Sequence, residues 1–125
     1  MRFVLALVMM TAAAHGEESW PTFGNPNMFT EQGGEAIYRS VCAGCHMPDG
    51  RGASGAGTYP SLAGDPRLAG FRYAIGVVLK GRNAMPSFGY SLTNEQIAAV
   101  VHYIRTHFGN SFADAFTVAD VAAER

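Results

Sequence analysis

The pentapeptide Cys42-Ala43-Gly44-Cys45-His46 constrains this chain more than any other stretch, because it contains both cysteines of the sequence. Residues three apart on a helical turn lie on one face, so the two thiols can bond one edge of a planar cofactor while His46 turns toward its metal. This spacing is typical of c-type haem attachment through two thioethers and a proximal histidine. The motif therefore predicts one covalently bound haem, held by Cys42 and Cys45, with His46 as an iron ligand.

Two other chemistries use a Cys-x-x-Cys pair. A thioredoxin-like redox couple places its reactive thiol at the start of a helix that follows a strand, within a βαβ unit. Residues 31–41 favour a helix that leads into the motif, and no βαβ alternation follows. A closed structural zinc site needs a second ligand pair, which one Cys-x-x-Cys with an adjacent histidine lacks. Haem attachment is the favoured interpretation, and the other two stay open.

The N-terminus has the plan of a secretory signal peptide. Arg2 precedes an apolar run at positions 3–10, and small residues follow at positions 11–14. The apolar run is shorter than the roughly 20 residues that cross a bilayer, which disfavours the alternative of a membrane anchor. Residues 1–16 are therefore predicted to be removed on secretion, and no transmembrane segment is expected in the mature chain.

The composition fits one folded domain. The 125 residues are 48% hydrophobic and 15% charged, with a net charge of −1. Removing Arg2 with the signal peptide leaves 8 of the 9 basic residues against 10 acidic ones, a net charge of −2. This balance gives no basic surface of the kind that nucleic acid attracts, so no nucleic-acid partner is expected.

An iron held by His46 needs a sixth ligand if its task is electron transfer. After residue 16 the thioethers are Met28, Met47 and Met85. Met47 is chained to His46 and cannot reach the opposite face of the ring, and Met28 lies in an irregular Pro/Asn segment. Met85 lies in a turn-rich loop that Pro86 restrains. Met85 is therefore the predicted ligand, with core packing as its alternative role. The nitrogen alternatives, for which a surface or capping role is favoured, are His102 and His107.

The clearest helix signal is a capping box formed by Thr93 and Gln96. Leu92 and Ile97 are placed for a hydrophobic staple, and an apolar stripe runs on until Gly109, a natural stop. The predicted helix spans 94–108, with His107 in its final turn.

An earlier helix is predicted to start after Thr30 and to enter the haem motif, with Ile37 and Tyr38 on its apolar side. Gly33 and Gly34 inside it would cost about 1 kcal/mol each relative to alanine. Close approach of another helix would explain one of them.

The region between these helices is expected to hold a loop at 49–57 and a short helix at 71–80. Asp65-Pro66 has the pattern of a cap followed by proline at the first helical position. Beyond Gly109 the sequence is polar and alanine-rich, and this tail is expected to fray or to lie against the body or a partner.

From Gly34 to Phe108 the chain resembles the single-haem class I cytochromes c. Gly34 and Tyr38 match the glycine-and-aromatic pattern of that family's first helix, and Val100 and Tyr103 match the partner pattern on its last. The resemblance implies a small all-α fold in which the N- and C-terminal helices cross at Gly34 and short helices and loops wrap one haem.

The same resemblance implies roles for two further segments. Pro60-Ser61-Leu62 is similar to the family's proline-x-leucine segment, so Pro60 would accept a hydrogen bond from the imidazole of His46 and Leu62 would line the haem pocket. Ala84-Met85-Pro86 is similar to the distal-ligand loop of bacterial members. The implied domain plan is a signal peptide at 1–16, an extension at 17–30, a cytochrome c domain at 31–109 and a tail at 110–125.

The implied function is periplasmic electron transfer without catalysis of its own. Stretches 59–68 and 80–109 are similar to cytochrome subunits of bacterial periplasmic dehydrogenases, so the expected partners are a dehydrogenase subunit and a downstream carrier or oxidase. The slightly acidic charge disfavours a mitochondrial-type partner. Segment 20–23, Trp-Pro-Thr-Phe, is placed to pack on a dehydrogenase or on its own domain. Candidates for the docking rim or for pairing with haem propionates are Arg39, Arg51, Lys80 and Arg82.

A haem enzyme or gas sensor with an open distal site is the alternative from a different class, and it would need Met85 away from the iron. A disulfide oxidoreductase is the third, and it would carry no haem.

Overall fold

The computed structural model of the chain describes residues 28–125. The predicted signal peptide, most of the predicted extension and segment 20–23 lie outside the described residues. The elements, in chain order, are α1 (Gly34–Ile37), a π-helical turn (Tyr38–Cys42), α2 (Ala43–His46), strands β1 (Ala53–Ser54) and β2 (Thr58–Tyr59), a 3-10 helix (Pro66–Ala69), α3 (Phe71–Lys80), α4 (Asn94–Thr106) and α5 (Val118–Glu124).

Helices dominate these residues, as the predicted all-α class requires, with one small exception. The stretch expected to be only a loop contains an antiparallel pair of two-residue strands, in which Ala53 faces Tyr59 and Ser54 faces Thr58. No helix between residues 28 and 125 is long and apolar enough to span a membrane.

The first helical stretch begins later than predicted, at Gly34 rather than directly after Thr30. Gly33 is the N-cap residue and has a φ of 84°, a conformation that favours glycine. It therefore lies outside the helix and does not carry the cost expected of a helical glycine.

A π-helical turn interrupts the stretch, and the N–H of Ala43 bonds to the carbonyl of Tyr38, five residues back. Such wide turns often occur at functional sites. This one ends at Cys42, the first cysteine of the haem motif, whereas the sequence predicts an ordinary helix there.

Gly34 is the point where the first helical stretch crosses α4, as the resemblance implied. A Cβ atom on Gly34 would lie 2.5 Å from the Cβ of Tyr103 and closer still to the carbonyl oxygen of Ala99. The ring of Tyr38 packs on that of Tyr103 with centroids 5.6 Å apart, and Val100 is buried between the helices. The absence of a side chain at residue 34 thus lets the two backbones approach.

Helix α4 starts with the predicted capping box: Thr93 Oγ1 accepts from the N–H of Gln96, and the Gln96 side chain accepts from the N–H of Thr93. The amide nitrogen of Gln96 also donates to the carbonyls of Phe29 and Glu31, both at 2.9 Å. Gln96 therefore also anchors the segment that leads into α1.

The end of α4 differs from the prediction, because the helix stops at Thr106. His107 is its C-cap and Phe108 has a φ of 58°, so neither belongs to the last turn. His107 Nδ1 donates to the carbonyl of Tyr103 at 3.0 Å, which satisfies one of the carbonyls that a helix end leaves unpaired.

Helix α3 has its predicted bounds, and Asp65 caps the 3-10 helix before it, with Pro66 at the first helical position. Together with α1 and α4 it encloses the hydrophobic core. The largest fully buried apolar side chains are Tyr38, Ile37, Ile75, Ile97, Val100, Val101 and Val121.

The C-terminal tail packs against the body as helix α5. It begins with its own capping box, formed by Thr117 and Asp120, and buries Val121 completely. Arg72 of α3 pairs with Glu124 at 2.8 Å and with Asp120 at 3.6 Å. The sequence left open whether the tail would fray or pack against the body. Residues 118–124 pack against the body and do not fray.

The substitution Gly34→Ala is expected to lower the free energy of unfolding of the haem-bearing protein by about 2 kcal/mol, because the new methyl group forces the crossing helices apart. Urea unfolding followed by far-UV circular dichroism measures the change. Gly76→Ala is the matched control, since a Cβ at this α3 position meets nothing within 4 Å. The control should stabilise the protein by up to about 1 kcal/mol, and equal effects of the two substitutions would contradict the close-crossing account.

Candidate haem site

His46 is the last residue of α2, and its side chain is only 9% exposed. Its Nδ1 lies 2.9 Å from the carbonyl oxygen of Pro60. Because a carbonyl can only accept a hydrogen bond, Nδ1 carries the proton and donates it. The lone pair is therefore on Nε2, the nitrogen that is free to bind a metal.

The two thiols precede His46 on the same helical stretch, Cys42 half-buried and Cys45 exposed. Burial, with a smaller contribution from nearby Cys45, raises the pKa of the Cys42 thiol to about 12. A reactive redox cysteine of the thioredoxin type has a lowered pKa. Cys42 is shifted in the opposite direction, and this difference disfavours the disulfide-oxidoreductase alternative.

The turn after His46 is held by Tyr38. Met47 has a φ of 65° and a ψ of 156°, a backbone conformation that residues other than glycine rarely adopt. The hydroxyl of Tyr38 donates to the Met47 carbonyl at 2.7 Å, and the N–H of Gly50 donates to the same oxygen at 3.0 Å. A tyrosine hydroxyl keeps its proton at neutral pH and remains a donor, and burial raises the pKa of Tyr38 further, to about 12.

The segment that presents the Pro60 carbonyl is tied down on both sides. The Gly50 carbonyl accepts from the N–H of Leu62 at 2.7 Å. The side-chain nitrogen of Asn110 donates to the carbonyls of Leu62 and Ile104, both at 2.8 Å. Leu62 itself is half-buried and packs against the hydrophobic core.

Asn110 is a site residue that the sequence analysis missed. It is 7% exposed, and its amide joins the end of α4 to the segment behind His46. The only signal in the sequence is its position directly after Gly109, where a helix stop would leave carbonyls in need of donors.

Met85 lies in a loop that is closed on itself. The N–H of Arg82 donates to the Met85 carbonyl at 3.0 Å and the N–H of Met85 donates to the Arg82 carbonyl at 2.9 Å. Its side chain is half-buried and packs against the hydrophobic core. Gly81, with a φ of 72°, lies under this turn, since a Cβ there would be 2.5 Å from the Met85 carbonyl oxygen.

The other candidate ligands lie in different surroundings. Met28 is 36% exposed, and Met47 adjoins His46 in the chain. His102 is exposed. His107 is exposed too, stacked on Tyr103 with centroids 4.0 Å apart.

Of the four basic residues considered for the docking rim, two have acidic neighbours. Arg39 pairs with Glu35 at 2.9 Å, and Arg51 lies 3.7 Å from Asp49. Arg82, at the base of the Met85 loop, lies over the ring of Tyr73 and donates to its hydroxyl at 3.3 Å. Lys80 is exposed at the end of α3.

The donors at this site match those that a c-type haem requires. Two free thiols and an imidazole with an available Nε2 project from one helical stretch, and a half-buried thioether is carried by a separate loop. The two thiols and the imidazole, on a small helical fold, are the donors that define the class of c-type cytochromes.

Comparison with known proteins identifies the family. Residues 29–104 match the family model described as cytochrome C oxidase, cbb3-type, subunit III. Since this match covers more than half of the 125 residues, the chain belongs to this cytochrome c family. It therefore carries a covalently bound c-type haem, and it functions in haem-based electron transfer. Cys42 and Cys45 are present in a Cys-x-x-Cys-His motif that is consistent with this attachment.

Two curated relatives are subunits of bacterial dehydrogenases. The chain is 37% identical over 95 residues to the fructose dehydrogenase cytochrome subunit of Gluconobacter japonicus, across 64% of this chain and 19% of that protein. It is 35% identical over 106 residues to the gluconate 2-dehydrogenase cytochrome c subunit of Pantoea cypripedii, across 75% of this chain and 24% of that protein. The chain thus spans about a fifth to a quarter of the length of these relatives.

The fold is also found in a solved structure. Cytochrome CL from Methylophaga aminisulfidivorans MPT matches 71% of this chain and 61% of its own length, with a TM-score of 0.52 and 25% sequence identity.

The substitution Tyr38→Phe is expected to lower the free energy of unfolding by about 1 kcal/mol at neutral pH, because the hydrogen bond to the Met47 carbonyl is lost. The pH dependence should change as well. Tyr38 has a pKa raised to about 12 in the folded chain, so folding retains a proton that the unfolded chain releases from about pH 10 upward, and stability falls with rising pH in that range. Urea titrations at about pH 9 and about pH 11 measure both effects. The wild type should lose more stability between the two pH values than the variant does, and an identical loss would contradict the assignment.

Proposed function

We propose that the chain is a class I cytochrome c that is exported to the periplasm, accepts electrons from a partner dehydrogenase and passes them to a downstream carrier or oxidase. The observation that carries this proposal is twofold. The Pro60 carbonyl fixes the imidazole of His46, and two backbone hydrogen bonds between Arg82 and Met85 hold the loop that carries Met85. The haem supplies one-electron oxidation and reduction of its iron, and the residues of the chain hold and shield it.

His46 and Met85 are the proposed iron ligands. The hydrogen bond from His46 Nδ1 to the Pro60 carbonyl fixes the plane of the imidazole and the direction of Nε2. The paired Arg82 and Met85 backbone groups restrict where the sulfur can go. With His46 and Met85 as its ligands, the iron would have no position left for a substrate, and the chain would act as a carrier rather than an enzyme.

Leu62 is proposed to line the haem pocket, and Pro60 is proposed to orient the imidazole of His46. Leu62 is held on both sides of its peptide unit, by Gly50 and Asn110, so the apolar side chain and the neighbouring carbonyl are fixed together. A pocket of this kind keeps water from the iron, and burial together with thioether ligation raises the reduction potential.

A dehydrogenase is the proposed electron donor because the two curated relatives are named as cytochrome subunits of dehydrogenases. The chain matches only a part of each of them, so their substrates are not carried over. Residues 1–16 have the plan of a signal peptide, which supports export. Lys80 and Arg82 flank the Met85 loop, and they are proposed to contact the acidic rim of a partner.

Met85→Ala is expected to lower the reduction potential, because a neutral thioether stabilises iron(II) more than iron(III). The variant should lose the weak long-wavelength sulfur-to-iron absorption band of the oxidised protein, and its open site should bind cyanide or carbon monoxide. Potentiometric titration and visible spectroscopy measure these changes.

Met28→Ala is the control, and it should keep both the band and the potential. If the wild type has no such band, or if Met85→Ala retains band and potential, the ligand assignment is wrong and His102 or His107 takes its place. If the wild type binds cyanide or carbon monoxide as readily as Met85→Ala, the distal site is open and the carrier function is contradicted.

The partner proposal is tested by purification from a native periplasmic extract. The haem absorbance is expected to co-purify with a dehydrogenase whose substrate reduces the iron. Haem that elutes alone and is reduced by none of the dehydrogenase fractions would contradict this donor.

A further inference from the structure

Helix α5 lies outside the region that matches the family model, which ends at residue 104. The loop at residues 81–92, which carries Met85 and is called the distal loop below, connects α3 to α4 and is fastened on two sides.

The first side is the C-terminal end of α3. The N–H groups of Gly81, Phe88 and Gly89 donate to the carbonyls of residues 77, 78 and 79, at 2.9, 3.0 and 3.2 Å. The hydroxyl of Ser87 donates to the carbonyl of Leu79 as well. These carbonyls are among those that a helix end leaves without partners, so the distal loop and α3 satisfy each other.

The second side is Arg125, directly after α5. Its guanidinium donates through Nη1 to the Gly89 carbonyl, through Nη2 to the Leu92 carbonyl at 2.9 Å, and through Nε to the side-chain oxygen of Asn94. A guanidinium has five donors in a fixed fork and no acceptor. One side chain therefore joins the distal loop to the start of α4.

Arg125 is held in place by the docking of α5. Val121 is fully buried, the capping box of Thr117 and Asp120 starts the helix, and Arg72 pairs with two carboxylates of α5. The guanidinium of Arg125 is thus positioned by helix α5, which is itself anchored to α3 and α4.

We propose that Arg125 is a positioning residue for the distal ligand, and that α5 serves as a brace which keeps the distal loop closed over the iron. This inference rests on the proposed ligation by Met85. For an external ligand to reach the iron, the Met85 sulfur must first move away, and the distal loop must open. Hydrogen bonds to the Gly89 and Leu92 carbonyls exist only in the closed loop, so they lower the population of the open one.

The test compares the oxidised, haem-bearing wild type with Arg125→Ala. Cyanide binding, followed by visible absorbance, should be roughly fivefold faster in the variant, the change expected when hydrogen bonds with a small net free energy are lost. Hydrogen exchange of the Phe88 and Gly89 amides should accelerate by a similar factor, while that of the Val100 amide in α4 should not change. Equal acceleration at all three amides would mean that the variant merely destabilises the whole fold, and it would overturn the proposal.

Arg72→Ala removes ion pairs that anchor α5 but none of the hydrogen bonds to the distal loop, so it separates the loosening of α5 from the loss of the Arg125 donors. It should change the cyanide rate less than Arg125→Ala does. Arg125→Lys should restore part of the wild-type rate, since an ammonium keeps the charge but has no fork to reach three acceptors.

The failure of this inference can be distinguished from failure of the ligand assignment. A wild type without the sulfur-to-iron band contradicts ligation by Met85 and the inference with it. A wild type with the band, together with unchanged cyanide and exchange rates in Arg125→Ala, leaves the ligation intact and overturns the brace.

Discussion

The hydrogen bond from His46 Nδ1 to the Pro60 carbonyl is the contact on which the haem site depends. It joins the helix that carries the attachment motif to a segment 14 residues further along the chain. The bond also determines the protonation of the imidazole, since Nδ1 must donate and Nε2 is left as the metal-binding atom. Gly50 and Asn110 in turn fix the neighbouring Leu62. The orientation of one ring is thus supported by the end of α4, which is distant in sequence.

Tyr38 links the helix crossing to the attachment motif. Its ring packs on α4 and on the residues that follow it, with ring centroids 5.6 Å from Tyr103 and 4.8 Å from Phe108, while its hydroxyl donates to the carbonyl of Met47. The residue after His46 has a costly backbone conformation, and a buried donor stabilises it there. One side chain therefore couples the packing of the crossing helices to the conformation of the chain at the proximal histidine.

Most features set by local chemistry could be predicted from the residues, whereas features set by distant contacts could be predicted only where the family resemblance supplied them. The capping box of Thr93 and Gln96, the cap at Asp65 and the attachment motif itself each depend on residues within a few positions of one another. The resemblance added the crossing at Gly34 and the Pro60 segment. The late start at Gly34 was missed because Gly33 needs a positive φ that composition does not reveal. Helix α5 was missed because its anchors are the buried Val121 and the partner Arg72, about 50 positions earlier in the chain.

A buried arginine explains how the C-terminal segment becomes part of the body. Arg105 is fully buried, and a buried cation is tolerated only when its donors are satisfied. Its guanidinium donates to the carbonyls of Leu68 and Ala69, at 2.8 and 3.0 Å, and it pairs with the carboxylate of Asp114. The chain after α4 returns to Arg105 at Phe112 and Asp114, and residues 118–124 then pack on α3 and α4 as α5. Arg125, which directly follows α5, then lies within hydrogen-bonding distance of the distal loop.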